Sequence, residues 1–311
     1  MINRALIRIK VIQIIYSYYK SEGNSIPAAV KELFHSFDKT YQLYYHLLWM
    51  SVEITRYCEQ RIDAKKNKLR PTDEDLHPNT RFVDNAFIRQ LSQNKPLNDL
   101  LKEFHVAWEN DENTVKSLYE DILKQDFYEE YMTALSTDYV ADKDIWKKIY
   151  KKVFLASENL DNAIEDQSIY WTDDLEVIIS FIVKTIKRFT LENGESQSLL
   201  PEFNSEEDSE FAEKLIRNTL ENGTVYREMI DAHTKNWELD RIAFMDIVIM
   251  EAAISEIMSF PTIPVNVTLN EYIEISKSYS TEKSAIFING ILDGIVKELK
   301  SRKELIKVVK I

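Results

Sequence analysis

Arg4, Arg8, Lys10 and Lys20 stand in the first twenty-one residues without one acid among them. Such side chains attract phosphate and carboxylate groups, and Arg4 and Arg8, one helical turn apart, share one edge of a helix while Lys10 projects elsewhere. Residues 202 to 213 have the opposite character, with Glu202, Glu206, Glu207, Asp208, Glu210 and Glu213 and no base. The patterns that would signal catalysis are missing: there is no P-loop, no G-x-G-x-x-G, no G-x-S-x-G and no H-E-x-x-H. His35, His46, His77, His105 and His233 are scattered without a metal-ligand spacing. The chain holds five glycines in 311 residues, little material for a loop that cradles phosphate. The available chemistry is recognition, and no enzyme activity, metal or cofactor is expected.

Composition sets the frame for that chemistry. Hydrophobic residues make up 44% of the chain and charged residues 29%, enough apolar matter for a large core. Scarce Gly and Pro favour helices over hairpins. A net charge of −13 argues against nucleic acid bound over the whole surface, though it permits a local basic patch. Cys58 is the single cysteine, so a disulfide framework is excluded and a reducing cytoplasm fits. Arg4, Arg8 and Lys10 break the apolar N-terminal run, and no run approaches the ~20 residues of a membrane span, so a cytoplasmic location is expected.

An all-α fold is expected, with two helical subdomains and extra helices inserted between them. The first helix, about residues 3 to 20, is apolar at nearly every angle and reads as a buried central helix. Ser25 and Pro27 open a segment that continues as one helix or two to about residue 62. Residues 65 to 80, polar and with Pro71 and Pro78, read as a linker. Helices are predicted near 82 to 92, 97 to 109 and 112 to 135, then as a longer pair at 142 to 169 and 173 to 192. The last third reads as helices at 207 to 221, 224 to 236, 240 to 259, 269 to 279 and 282 to 302, with Thr268 and Glu271 as a capping box. These give a division into residues 1–64, an inserted helical region 65–204, a C-terminal helical subdomain 205–302 and a basic tail 303–311. Ile145, Ile149, Phe154, Ile164 and Ile179 also recur, at one constant spacing, as Phe211, Leu215, Leu220, Ile230 and Met245, the pattern an internal repeat would leave.

The densest signal is residues 263 to 293, IPVNVTLNEYIEISKSYSTEKSAIFINGILD. Pro264, Val267, Leu269, Asn270 and Glu271, then Lys277 and Tyr279, then Ser284, Phe287, Ile288, Asn289, Gly290, Ile291, Leu292 and Asp293 resemble the signature of the transcription antitermination factor family NusB. Trp237, Leu239, Arg241, Asp246 and Glu256 resemble its upstream elements, and Arg8, Gln13, Tyr16 and Ser17 its first helix. The resemblance covers about residues 1 to 60 and 205 to 302. Residues 65 to 200 have no counterpart in short family members.

The resemblance implies a factor that pairs with NusE, a small ribosomal protein, binds the boxA segment of nascent ribosomal RNA, and joins the RNA polymerase antitermination complex. Arg4, Arg8, Tyr16, Lys277, Lys283, Ser284 and Asn289 are the candidate RNA residues. Arg4 and Arg8 are equally readable as a solvated edge, Tyr16 as core, and Asn289 as a brace for a neighbouring loop. Asp246, Glu251 and Glu256 are the candidate partner surface for a basic ribosomal protein, or else exposed charges on a helix. Gly290 and Gly294, one turn apart, are expected to leave a helix face bare for close approach of another backbone. The chain also departs from the pattern: Lys283 stands where an acid is common, and Ile247 and Glu251 where arginines are frequent. A chain that kept the fold as a protein-only adaptor is the alternative reading.

Overall fold

The computed structural model describes residues 1–23, 25–104, 112–234 and 242–308. Among them the chain is all-α, with one isolated parallel bridge between Ile2 and Phe203 and no helix long and apolar enough to cross a membrane. It divides into two compact units, Met1–Phe37 with Glu202–Ile311, and Asp38–Pro201.

The first unit is built round helix α1 (Arg4–Lys20). Asn3 caps it by accepting from the Leu6 N–H at 3.0 Å. Leu6, Ile7, Val11, Ile12, Ile14 and Ile15 are buried on several sides of it, as an all-round apolar helix requires. It packs on α11 (Glu206–Glu221), α13 (Phe244–Ser259) and α14 (Val265–Tyr279), while α12 (Gly223–His233) and α15 (Ser284–Ser301) close the bundle. Helix α2 (Ile26–Lys66) is one unbroken helix that runs past the expected division at residue 64, and its first part belongs to this unit.

Several predicted boundaries move, each for a local reason. Helix α14 begins at Val265, a turn earlier than expected, because Pro264 already supplies the extended cap (φ −62°, ψ 140°). Thr268 is therefore inside the helix, and its hydroxyl donates to Glu256 Oε1 at 2.7 Å instead of capping. The polar stretch read as linker holds the one-turn α3 (Asp73–Leu76), fixed by a capping box between Thr72 and Asp75. The segments Trp237, Leu239 and Arg241, and His105, lie outside the described residues.

In the second unit the remaining helices are α4 (Ala86–Ser92), α5 (Lys95–Phe104), α6 (Glu112–Leu123), α7 (Asp126–Thr133), α8 (Tyr139–Lys152), α9 (Glu158–Gln167) and α10 (Leu175–Arg188). The expected helix 142 to 169 is broken where Ser157 caps a new one, accepting from the Leu160 N–H at 3.2 Å. Trp146, Tyr150, Phe154, Tyr44 and Tyr45 are fully buried and form an aromatic core. The constant spacing seen in the sequence places α8, α9 and α10 in order on α11, α12 and α13.

Candidate nucleic-acid interface

The N-termini of α13 and α15 meet at Asp246, in the first turn of α13. Its carboxylate accepts the Ser284 hydroxyl at 2.9 Å on one oxygen and the Ser280 hydroxyl on the other. Ser284 in turn accepts from the Thr281 N–H at 3.2 Å. These bonds pin the turn Ser280–Lys283 and fix Lys283 as the exposed residue preceding α15. Beside it opens a groove of about 700 Å³, lined by Ile242, Ala243, Ile286 and Phe287 as well as Asp246 and Lys283. Ile286 is 81% exposed there. Two helix N-termini carry partial positive charge toward this place, and the one acid among its lining groups is buried and hydrogen bonded.

The last turn of α1 adds to the same end of the bundle. Tyr16 lies against Phe244, ring centroids 5.4 Å apart, and Lys20 Nζ sits 4.3 Å from the Phe244 ring centre. Phe244 follows the groove residue Ala243 directly, so an aromatic pair and a cation stand next to the Lys283 groove. The sequence shows Lys20 as one of the N-terminal cations but does not single it out for RNA, nor Phe244 and Ile286. The signal for Lys20 was its place one turn beyond Tyr16 on the same helix face.

The other candidates go elsewhere. Arg4 is at the far end of α1, about 24 Å away by helix rise, paired with Asp208 at 3.3 Å and lying over Phe211. Lys277 is exposed on α14 beside Glu274, and Asn289 is exposed along α15. Arg8 is buried: its guanidinium clamps Glu256 through Nε at 2.7 Å and a terminal nitrogen at 2.8 Å, and reaches Glu271 at 3.1 Å. Burial opposes the charge on Arg8, but the Glu256 bonds prevail and hold its pKa above the ordinary value. Neither RNA nor bulk water reaches Arg8, so both readings of it in the sequence are corrected. Ser284 is likewise internal, 2% exposed, because its hydroxyl is spent on the turn.

The three carboxylates taken for a partner surface are also internal. Asp246 is 4% exposed and Glu251 and Glu256 are fully buried. Glu251 accepts from the Tyr19 hydroxyl at 2.8 Å and from Arg227, which itself stacks over the Tyr19 ring at 4.2 Å. Burial raises Glu251 above the usual carboxylate range against the pull of Arg227. Gly223 makes this possible, because a Cβ there would lie 2.5 Å from the Tyr19 hydroxyl. The acids are braces between helices, which is how a buried charge must be satisfied.

The paired glycines are corrected too. A Cβ on Gly290 would meet nothing within 4 Å, whereas one on Gly294 would lie 2.8 Å from the His233 ring. Only Gly294 serves close approach, and what approaches is a side chain rather than a backbone.

The profile of the NusB family matches residues 176–297. It begins inside the stretch read as inserted. A Salinibacter ruber protein named transcription antitermination protein NusB is 40% identical over 98 residues, covering 32% of this chain and 61% of that protein, less than two thirds of its length. The protein of the same name from Bacillus licheniformis is 41% identical over 95 residues, 30% of this chain and 74% of that one. A solved structure described as T. maritima NusB is 30% identical, covering 46% of this chain and 89% of that chain, with a TM-score of 0.31. At this identity across nearly three quarters of the Bacillus protein, the chain belongs to the NusB family.

Proposed function

We propose that this chain is a transcription antitermination factor that binds single-stranded boxA-type leader RNA together with NusE and helps RNA polymerase read through terminators in the cytoplasm. The observation that carries the reading is the groove at the junction of α13 and α15. It offers what a single strand needs: a cation for phosphate in Lys283, converging helix N-termini, and for bases the exposed Ile286 with the half-buried rings of Phe287 and Phe244. Tyr16 and Lys20 extend it. The names of the relatives support the same assignment. In this reading Asp246 and Ser284 shape the RNA site from beneath, and Lys277, Asn289 and Arg4 lie outside it. NusE binds exposed side chains rather than the buried carboxylates.

Fluorescence anisotropy with labelled boxA-like RNA, with and without NusE, at two salt concentrations tests it. Expected are tighter binding with NusE, weakening as salt rises, and a loss of roughly tenfold or more for Lys283→Ala with Lys20→Ala. A stable NusE complex with no RNA affinity would leave the protein-only adaptor instead.

A further inference from the structure

The second unit carries a face on which lysines outnumber acids, in a chain that holds 52 acids against 39 bases; Asp144 on α8 and Glu130 on α7 are the acids beside it. On α8 the buried residues Ile145, Trp146, Ile149 and Tyr150 occupy one half of the helix. The other half presents Lys143, Lys147, Lys148, Lys151 and Lys152, with Asp144 as its acid. Lys148 and Lys152 lie over the Phe127 ring at 5.9 and 5.6 Å, so that flank faces α7. On the opposite flank Lys143 donates to the carbonyls of Phe189 at 2.8 Å and Lys187 at 3.3 Å, which sets α8 antiparallel to the end of α10. There α10 adds exposed Lys184, Lys187 and Arg188.

Lys151 and Lys152 in the last turn of α8, and Lys187 and Arg188 in that of α10, are favoured by the helix dipole, but the like-charge pairs along α8 are not. Lys143 with Lys147, Lys147 with Lys151, and Lys148 with Lys152 are like charges one turn apart, and only Lys147 has a neutralising partner on the helix, Asp144. Burial, and then the charge of Lys147, pull Lys143 below its ordinary pKa. Both α8 and α11 pair one cation with an acid a turn away, but α8 sets five lysines against the single acid Asp144 on this half.

We propose that the exposed half of α8 and the last turns of α10 form a track for the phosphates of single-stranded RNA, separate from the groove of the first unit. The track is made chiefly of lysines, compact point charges that follow a backbone without selecting a sequence. Of the two rings under its lysines, Phe127 is buried and Tyr139, beneath Lys143 at 5.4 Å, is half-buried with its hydroxyl bonded to Gln90, so the track offers bases little to stack on. The track adds affinity without reading sequence, which stays with the first unit. This use of the track rests on the RNA-binding reading of the chain.

The test uses the full chain with Lys148→Gln, Lys151→Gln and Lys152→Gln together, exposed residues that hold no internal hydrogen bond in the unit. Anisotropy is measured with polyuridylate, with short boxA-like RNA plus NusE, and with polyglutamate. Expected are wild-type binding of polyuridylate, a loss of about 2 in its log–log salt slope for the triple variant, and unchanged binding of the short RNA. Equal polyuridylate affinity and slope in both proteins would overturn the track. Preference for polyglutamate would overturn it in favour of an acidic protein partner. Failure of the short RNA with retained, lysine-dependent polyuridylate binding would instead remove the antitermination reading and leave the track standing.

Discussion

Arg8 and Glu256 form a bidentate ion pair, with N–O distances of 2.7 and 2.8 Å, between the start of α1 and the end of α13. Thr268 and Tyr272 of α14 also donate to the same carboxylate, so one network ties three helices, α1, α13 and α14, together in the bundle core. Arg8→Ala leaves Glu256 buried and unpaired and is expected to cost about 3–5 kcal/mol in urea unfolding. Arg8→Met with Glu256→Leu removes both charges and is expected to cost much less. Equal losses in the two variants would show that the charge itself is not what matters.

In the proposed RNA site Asp246 is expected to act through the turn it holds. Asp246→Ala frees Ser280 and Ser284 and is expected to weaken boxA-like RNA binding by several-fold, although the carboxylate never faces the RNA. Asp246→Asn, which retains an acceptor oxygen, should recover part of that. A binding constant unmoved by Asp246→Ala would separate the turn from the site.

The two glycines of α15 should respond with opposite signs. Gly290→Ala enters open space on a helix and is expected to stabilise by roughly 0.4–1 kcal/mol. Gly294→Ala must displace His233, which bonds Glu298 at 3.0 Å, and is expected to lower the midpoint of thermal unfolding. Parallel shifts in Tm would refute the difference in packing.

His46 makes the second unit sensitive to acid. Burial, with Trp171 and Tyr45 against the ring, lowers its pKa to about 4 from 6.5. The unfolded state binds the proton first, so stability rises with pH across that window and falls as pH drops from 6.5 toward 4, by up to roughly 3 kcal/mol. His46→Gln should flatten this part of the urea-midpoint profile. An unchanged profile would assign the acid loss to other groups.

Glu251 has the reverse sign. Its raised pKa means the folded state holds the proton longer, so its contribution falls as pH rises past the ordinary carboxylate value of 4.5. Relative to Glu251→Gln, the wild type should lose stability on going from acid to neutral pH, against the trend set by His46. The double variant with His46→Gln separates the two.

The sequence by itself determined the helical class, the central place of α1 and the family, because these rest on periodicity, capping and a dense local motif within thirty residues. It also exposed the basic Lys283 as a departure from the family pattern. It was silent on which charges face water. Arg8 and Lys20 are both cations on α1, yet one is clamped by Glu256 from a helix 248 positions away and the other rides on Phe244 beside the groove. Asp246, Glu251 and Glu256 read as a polar face only while their partners Ser284, Tyr19, Arg227 and Arg8 are distant in the chain. Burial of a charge is decided by what packs against it, and that is a property of the tertiary fold.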